Sequence, residues 1–185
     1  MRLQKRVLIV TGSPGIGKTT VLTKTVGILK KQGHRVGGML SREVRESGVR
    51  VGFEILDVGS GSRGWLAQVN LKNGPQVGKY RVNVADLNSV GAQAITQAVG
   101  TCQVVVIDEI GPMELFSLKF KEAVRQTLEN GKWILAVLHW KAQDQLITEV
   151  RNREDAEEVV VNVENREKLP ELLAEKANAF LRAIG

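Results

Sequence analysis

The run Gly12-Ser13-Pro14-Gly15-Ile16-Gly17-Lys18-Thr19 constrains this chain more than any other stretch. It fits G-x-x-x-x-G-K-[ST] without a mismatch. An apolar run, Val7-Leu8-Ile9-Val10, precedes it, and a helical pattern begins near Lys18. Strand, glycine-rich turn and helix in that order predict a loop that cradles phosphate. Its glycines let the backbone wrap closely around an anion with N–H groups pointing inward. The start of the helix adds its positive dipole end. Lys18 brings a mobile positive charge to the β- and γ-phosphates, and the Thr19 hydroxyl suits Mg²⁺. The plainer reading, a glycine-rich turn before an ordinary helix, does not require this full pattern in this context.

The elements after the loop predict an α/β fold with a mainly parallel sheet. Helical spacing of Val21, Leu22, Val26 and Leu29 defines the first helix, and Gly33 ends it. Arg35 to Leu40 is the second strand, parallel to the first. Between residues 41 and about 84 the pattern changes to short alternating stretches rich in glycine. Arg50–Val58, Trp65–Val69 and Lys79–Val84 read as strands too closely spaced for crossover helices, so they form antiparallel hairpins. The turn Glu46-Ser47-Gly48 joins the first of them to the preceding strand. Helices are expected over Asp86–Val99, with Asp86 as N-cap, and over Phe116–Asn130, Gln143–Val150 and from Pro170 onward. Strands are expected over Gln103–Ile107, Trp133–His139 and Val159–Val161. A length of 185 residues suits one domain, with the 41–84 hairpins as an insertion within it.

The second half of the site is expected in Val104-Val105-Val106-Ile107-Asp108-Glu109. Four apolar residues followed by a carboxylate mark a buried parallel strand ending at the ligand edge of a sheet. Asp108 is placed to hold Mg²⁺ through water, and Glu109 to polarise a water for in-line attack on a γ-phosphate. The plainer reading of Glu109 is a structural ion pair. His139, ending the Trp133 strand, is a candidate γ-phosphate sensor or a satisfied surface histidine. Arg151 and Arg153 are candidates for a lid that neutralises charge on a transferred phosphoryl group, or a solvated helix end. Asn162, Asn165 and Arg166 follow the last strand and are candidates for contact with a nucleotide base; Asn165 could instead cap the last helix. His34 receives no role.

Charge and composition narrow the partners. A net charge of +6 fits a cleft that attracts polyphosphate, and no block of five or six like charges marks a nucleic-acid tail. Aromatics make up only 4%, so a single-strand stacking platform is not expected. The one cysteine, Cys102, excludes an internal disulfide and suits a reducing cytoplasm. The basic start Met1-Arg2-Leu3-Gln4-Lys5-Arg6 is followed by an apolar run too short for a signal sequence, and nothing approaches a membrane span.

The sequence resembles the small nucleoside-triphosphatase family of thermophilic archaea and bacteria, whose animal relative is called the cancer-related nucleoside-triphosphatase. The resemblance rests on Gly12 to Thr20, Glu43-Val44-Arg45 with Arg50-Val51-Gly52-Phe53, and Val77-Gly78-Lys79-Tyr80. It is strongest over Ile107-Asp108-Glu109-Ile110-Gly111-Pro112-Met113-Glu114-Leu115-Phe116-Ser117, and continues at Arg151-Asn152-Arg153 and Asn165-Arg166. Pro112 stands where some relatives carry lysine, so no cation role is carried over to it. The resemblance implies a P-loop α/β/α fold similar to P-loop kinases and RecA-like ATPases. It implies slow Mg²⁺-dependent hydrolysis of ATP, GTP and other nucleoside triphosphates with little base preference. It implies a nucleotide site drawn from Gly12, Ser13, Pro14, Gly15, Ile16, Gly17, Lys18, Thr19 and Thr20, from Val105, Val106, Ile107, Asp108, Glu109, Ile110 and Gly111, and from Asn165 and Arg166. Glu43 and Arg45 become candidates for shaping the cleft, and Glu114 for a second acid near the metal. A nucleoside or nucleotide kinase, with its acceptor pocket in the 41–84 insertion, and a nucleotide-dependent switch are the alternatives. No obligate protein partner is evident.

Overall fold

The computed structural model of the chain describes residues 4–185, so Met1-Arg2-Leu3 of the basic start lie outside the described residues. One nine-stranded sheet runs through them in the order β5-β6-β4-β3-β2-β7-β8-β1-β9. Its parallel part is β2 (Val36–Glu46), β7 (Val104–Ile110), β8 (Trp133–Leu138), β1 (Val7–Thr11) and β9 (Ala156–Val160). Its antiparallel part is β3 (Val49–Asp57), β4 (Arg63–Gln68), β6 (Tyr80–Val82) and the two-residue edge strand β5 (Gln76–Val77). The second strand thus lies two strands away from the first, with β7 and β8 between them.

Alternation along the strands divides the core into two layers. Leu8 and Val10 of β1 pack toward α1 (Lys18–Lys31) and α6 (Leu169–Ile184), together with Leu22, Leu29, Leu173 and Phe180. Val7 and Ile9 point the other way, toward α3 (Gln93–Thr101), α4 (Leu118–Glu129) and α5 (Gln145–Arg151). A sheet covered by helices on both faces explains why its central strands read as unbroken apolar runs.

Helix ends follow local chemistry. α1 stops with Gly33 at φ 86°, where the Gly33 N–H donates to Lys30 O and the His34 N–H to Leu29 O. That pair of bonds closes the helix in a Schellman motif. Ser117 caps α4 by accepting the Phe120 N–H at 2.9 Å. The helical path before α3 begins earlier than expected, as a short turn α2 (Val84–Asp86) followed by π-helical turns over Leu87–Ala92. Its cap is Asn83, not Asp86: the Asn83 side chain accepts from the Asp86 N–H, while the Asp86 carboxylate accepts the Trp65 N–H at 2.8 Å. Asp86 is therefore spent on tying the helix to β4. Cys102 ends α3 and packs against the core.

Gly38 shows how tightly β2 and β7 are joined. Its φ is 114°, and a Cβ there would lie 2.1 Å from Val106 O. Only glycine allows that approach.

Candidate functional site

The glycine-rich loop leaves β1 and enters α1 with Gly12, Gly15 and Gly17 all at positive φ. The Lys18 ammonium folds back over the loop and donates to Gly12 O at 2.9 Å and Ser13 O at 3.0 Å. Gly12 presses on the strand edge, where a Cβ would meet Val161 O at 2.9 Å. Ile16 packs its side chain into the α1–α6 core, and its N–H donates to Ser13 O at 3.3 Å.

β8 lies between β1 and β7, which brings the end of β7 beside the loop. The ladder to β8 breaks between Ile107 and Ile110, and Asp108 and Glu109 sit in that break. Both line a cleft of about 570 Å³ together with Lys18, Thr19, Thr20 and His139. Asp108 is 2% exposed. Burial pushes its carboxyl up to about 7 against the opposing hydrogen bond from Thr19, with the Glu109 charge adding to the rise. Ser41 Oγ also reaches Asp108 Oδ2 at 3.5 Å. Thr19 hydroxyl and Asp108 carboxyl are within reach of each other, and both are hard oxygen donors of the kind Mg²⁺ selects. A buried carboxyl with a raised pKa is one that a divalent cation would stabilise as carboxylate. The donor set therefore fits Mg²⁺.

Glu109 also has its pKa raised, by burial, partly offset by Lys18. Glu114, in the 3₁₀ turn Glu114–Phe116, is 4% exposed and faces the same cleft. Burial, then the Glu109 charge, lifts its carboxyl well above the usual range. His139 follows β8 and is held by its backbone N–H on Ile110 O at 3.1 Å. Its Nδ1 accepts from the Ala142 N–H at 3.0 Å, which leaves the ring proton on Nε2. Burial lowers its pKa, and the Lys18 and Lys141 charges lower it further.

The hairpins add Glu43, Arg50, Phe53, Leu66 and Val77 to the lining of the cleft, which Met113 and Trp140 complete. Glu43 accepts from Arg45 at 2.8 Å and Arg50 at 3.0 Å, and Arg50 donates on to the Tyr80 hydroxyl at 2.7 Å. Burial pushes the Glu43 carboxyl up, but the two arginines outweigh it and hold it below its ordinary value. The Arg50 guanidinium stands 5.1 Å from the Phe53 ring centre. Glu43 thus lines the cleft, and Arg45 braces it from behind.

Several expected site residues lie elsewhere. Val105, Val106, Ile107 and Ile110 are at most 1% exposed and are core. Arg151 pairs with Glu158 at 3.0 Å on β9. Arg153 pairs with Asp155, whose carbonyl accepts the Arg6 and Val7 N–H groups at the start of β1. That is the opposite end of β1 from the loop, roughly 16 Å away along five residues. Neither arginine lines the cleft, and the lid role expected for them is not the arrangement found. Asn165 spends both ends of its amide on its own loop, accepting the Asn162 N–H and donating to Val160 O, each at 2.9 Å. Its side chain does not cap α6, whose N-cap is Lys168. Arg166 does reach the loop, with Nη1 3.5 Å from Ile16 O. Gly111 packs against Glu109, where a Cβ would lie 2.5 Å from Oε1. Sequence reasoning missed Ser41, Leu66 and Trp140. Strand alternation and the Ser47-Gly48 turn could have located Ser41 on the cleft face.

A family described as NTPase matches residues 7–174. The chain belongs to that family. Among NTPase relatives, "Nucleoside-triphosphatase THEP1" of Thermofilum pendens is 46% identical, over 91% of this chain and 93% of its own length. The protein of the same name from Methanosarcina acetivorans is 45% identical, over 96% of this chain and 98% of its own. Two solved structures share the fold of this NTPase. The crystal structure of THEP1 from Aquifex aeolicus superposes with a TM-score of 0.78 at 31% identity, covering 90% of this chain and 95% of the other. The solution structure of a human cancer-related nucleoside triphosphatase gives 0.76 at 39% identity, covering 91% and 95%. Among the described residues, no helix is long and apolar enough to cross a membrane.

Proposed function

We propose that this chain hydrolyses nucleoside triphosphates, ATP and GTP among them, to the diphosphate and phosphate in a Mg²⁺-dependent reaction with little base preference. The observation that carries the reading is Glu109: a carboxylate in the cleft, directly after Asp108 and facing the phosphate loop. Thr19 and Asp108 would hold Mg²⁺. That ion would supply positive charge to offset the charge on the phosphate oxygens. The loop amides and Lys18, released from the Gly12 and Ser13 carbonyls, hold the β- and γ-phosphates. Glu109 orients a water in line with the β–γ bond and receives its proton. The Nε2–H of neutral His139 donates to a γ-phosphate oxygen.

Support for weak base preference comes from the 162–166 loop. There Asn165 ties its amide to Val160 O and the Asn162 N–H, and Arg166 lies beside Ile16 O, so neither is held out as a fixed reader of one base. Incubation with ATP or GTP tests the reading. Equal amounts of diphosphate and phosphate, abolished by EDTA and restored by Mg²⁺, are expected. Release of pyrophosphate, or turnover indifferent to EDTA, would contradict it.

A further inference from the structure

The cleft is larger and more apolar than a triphosphate and a water require. Its outer half is walled by Phe53, Leu66, Val77 and Met113, residues a polyphosphate chain gains nothing from touching. The nucleoside has a different place. The 162–166 loop follows β9 at one edge of the parallel strands, whereas β2 and the hairpins lie at the other, with β1, β8 and β7 between. A triphosphate that lies on the loop with its γ-end at Asp108 has its base near Arg166. Its γ-phosphate then points at the hairpin wall.

Two polar groups that line the cleft have no use in the hydrolysis described above. Glu114 is buried and lines the cleft, and no side chain pairs with it among the described residues. Arg50 is fixed over Phe53 by Tyr80 and Glu43 through Nε and Nη1, and its Nη2 has no protein acceptor among the described residues. A buried carboxyl that lines a cleft with apolar walls and pairs with no side chain is built to orient something other than solvent.

We infer that the outer half of the cleft, between Glu109 and the wall of Phe53, Leu66 and Met113, binds a small primary alcohol with an aromatic body and passes the γ-phosphoryl group to it. The inference rests on the triphosphate lying on the loop as proposed. The aromatic body fills the slot beside Phe53 and Met113. The Glu114 carboxyl donates a hydrogen bond to the hydroxyl oxygen and positions it, leaving the hydroxyl proton free for Glu109. The hydroxyl oxygen forms a bond to the γ-phosphorus, and the bond from that phosphorus to the β–γ bridging oxygen breaks. The electron pair leaves on the nucleoside diphosphate, and the hydroxyl proton passes to Glu109. The products are a phosphomonoester and the diphosphate. Hydrolysis is then what the same groups do when water occupies the slot.

The test uses the full chain, Mg²⁺, ATP labelled in the γ-phosphate, and benzyl alcohol as probe, with glucose as a polar control. Label is expected in benzyl phosphate at the expense of free phosphate. The partition should exceed the alcohol-to-water concentration ratio by at least about tenfold, as a bound acceptor requires. Glucose phosphate should not form. Glu114→Leu should lower the ester-to-phosphate ratio and Glu114→Gln, which keeps a donor, should preserve it, a split that loss of fold alone would not produce. In parallel, methyl NMR follows Leu66 and Met113 with the β,γ-imido analogue of ATP bound. Saturable shifts on adding benzyl alcohol are expected. Phosphate release with no benzyl phosphate overturns the transfer while leaving the nucleotidase reading intact. Shifts at both methyls from the analogue alone, with none added by the alcohol, overturn the subsite, because the base then lies on that wall. Absence of phosphate release together with alcohol-induced shifts faults the nucleotidase reading and supports the subsite.

Discussion

Replacing Arg153 by alanine separates a lid arginine from a structural one. In the structure Arg153 holds Asp155 through two bonds, Nε to Oδ1 at 2.8 Å and Nη2 to Oδ2 at 3.2 Å, and a third bond runs to Glu129 at 3.0 Å. Glu129 is 75% exposed, so that bond contributes close to nothing. Asp155 is 12% exposed and keeps its pair with Arg6 at 2.7 Å after the substitution. What is lost is one charged bidentate contact in a half-buried place, a destabilisation of about 2 kcal/mol. For a chain of this size that is ~4–8 °C in melting temperature. Burial pushes the Asp155 carboxyl up, but Arg153 and Arg6 outweigh it and hold its pKa below the ordinary 3.8. The folded pKa is therefore the lower one. The contribution is fully present above about pH 4 and is lost as the pH falls through the folded value. Thermal melts of wild type and Arg153→Ala followed by circular dichroism should show the gap at pH 7 and its narrowing below pH 3.8. Turnover per folded molecule, measured well below either melting point, should be unchanged. A loss of about a thousandfold in turnover at an unchanged melting temperature, the signature of an arginine that stabilises transferring phosphoryl charge, would refute the structural assignment.

Further outcomes follow from other contacts. Gly38→Ala should destabilise the fold by at least about 2 kcal/mol in urea titration, because a Cβ at 2.1 Å from Val106 O forces β2 away from β7. Ser117→Ala should cost about 1–2 kcal/mol by the same measurement, through loss of the α4 cap. Lys18→Ala should weaken binding of a fluorescent triphosphate and reduce phosphate release by about a hundredfold or more.

The sequence exposed the main architecture because its strongest signals are local. The apolar runs of β1, β7 and β8 and the helical face of α1 report burial directly, and the glycine-rich loop reports its own backbone needs. The hairpin from Arg35 to Val58 was legible from alternation and its Ser47-Gly48 turn. The place of β2 was not, since the sequence near β2 carries nothing that names β7 as its neighbour. Arg153 was misjudged for a related reason: its partner Asp155 lies two residues away, but the end of the sheet they occupy is fixed by Arg6 and Val7, far off in sequence. Val105, Val106, Ile107 and Ile110 were drawn into the nucleotide site by adjacency to Asp108, although strand geometry turns them into the two core layers. Asn165 looked available because its type suits base contact; only the closed loop reveals that its amide is already used. The Glu43–Arg50–Tyr80 chain depends on how three strands are registered, which no single stretch encodes.

Glu109 is the residue proposed to direct water at the γ-phosphate held by the loop. Glu109→Gln keeps the shape and removes the proton acceptor. Phosphate release should fall by about a hundred- to ten-thousandfold, while titration with Mg²⁺ and the β,γ-imido analogue gives affinity close to that of the unaltered protein. Phosphate release at the rate of the unaltered protein, with binding preserved, would contradict the claim.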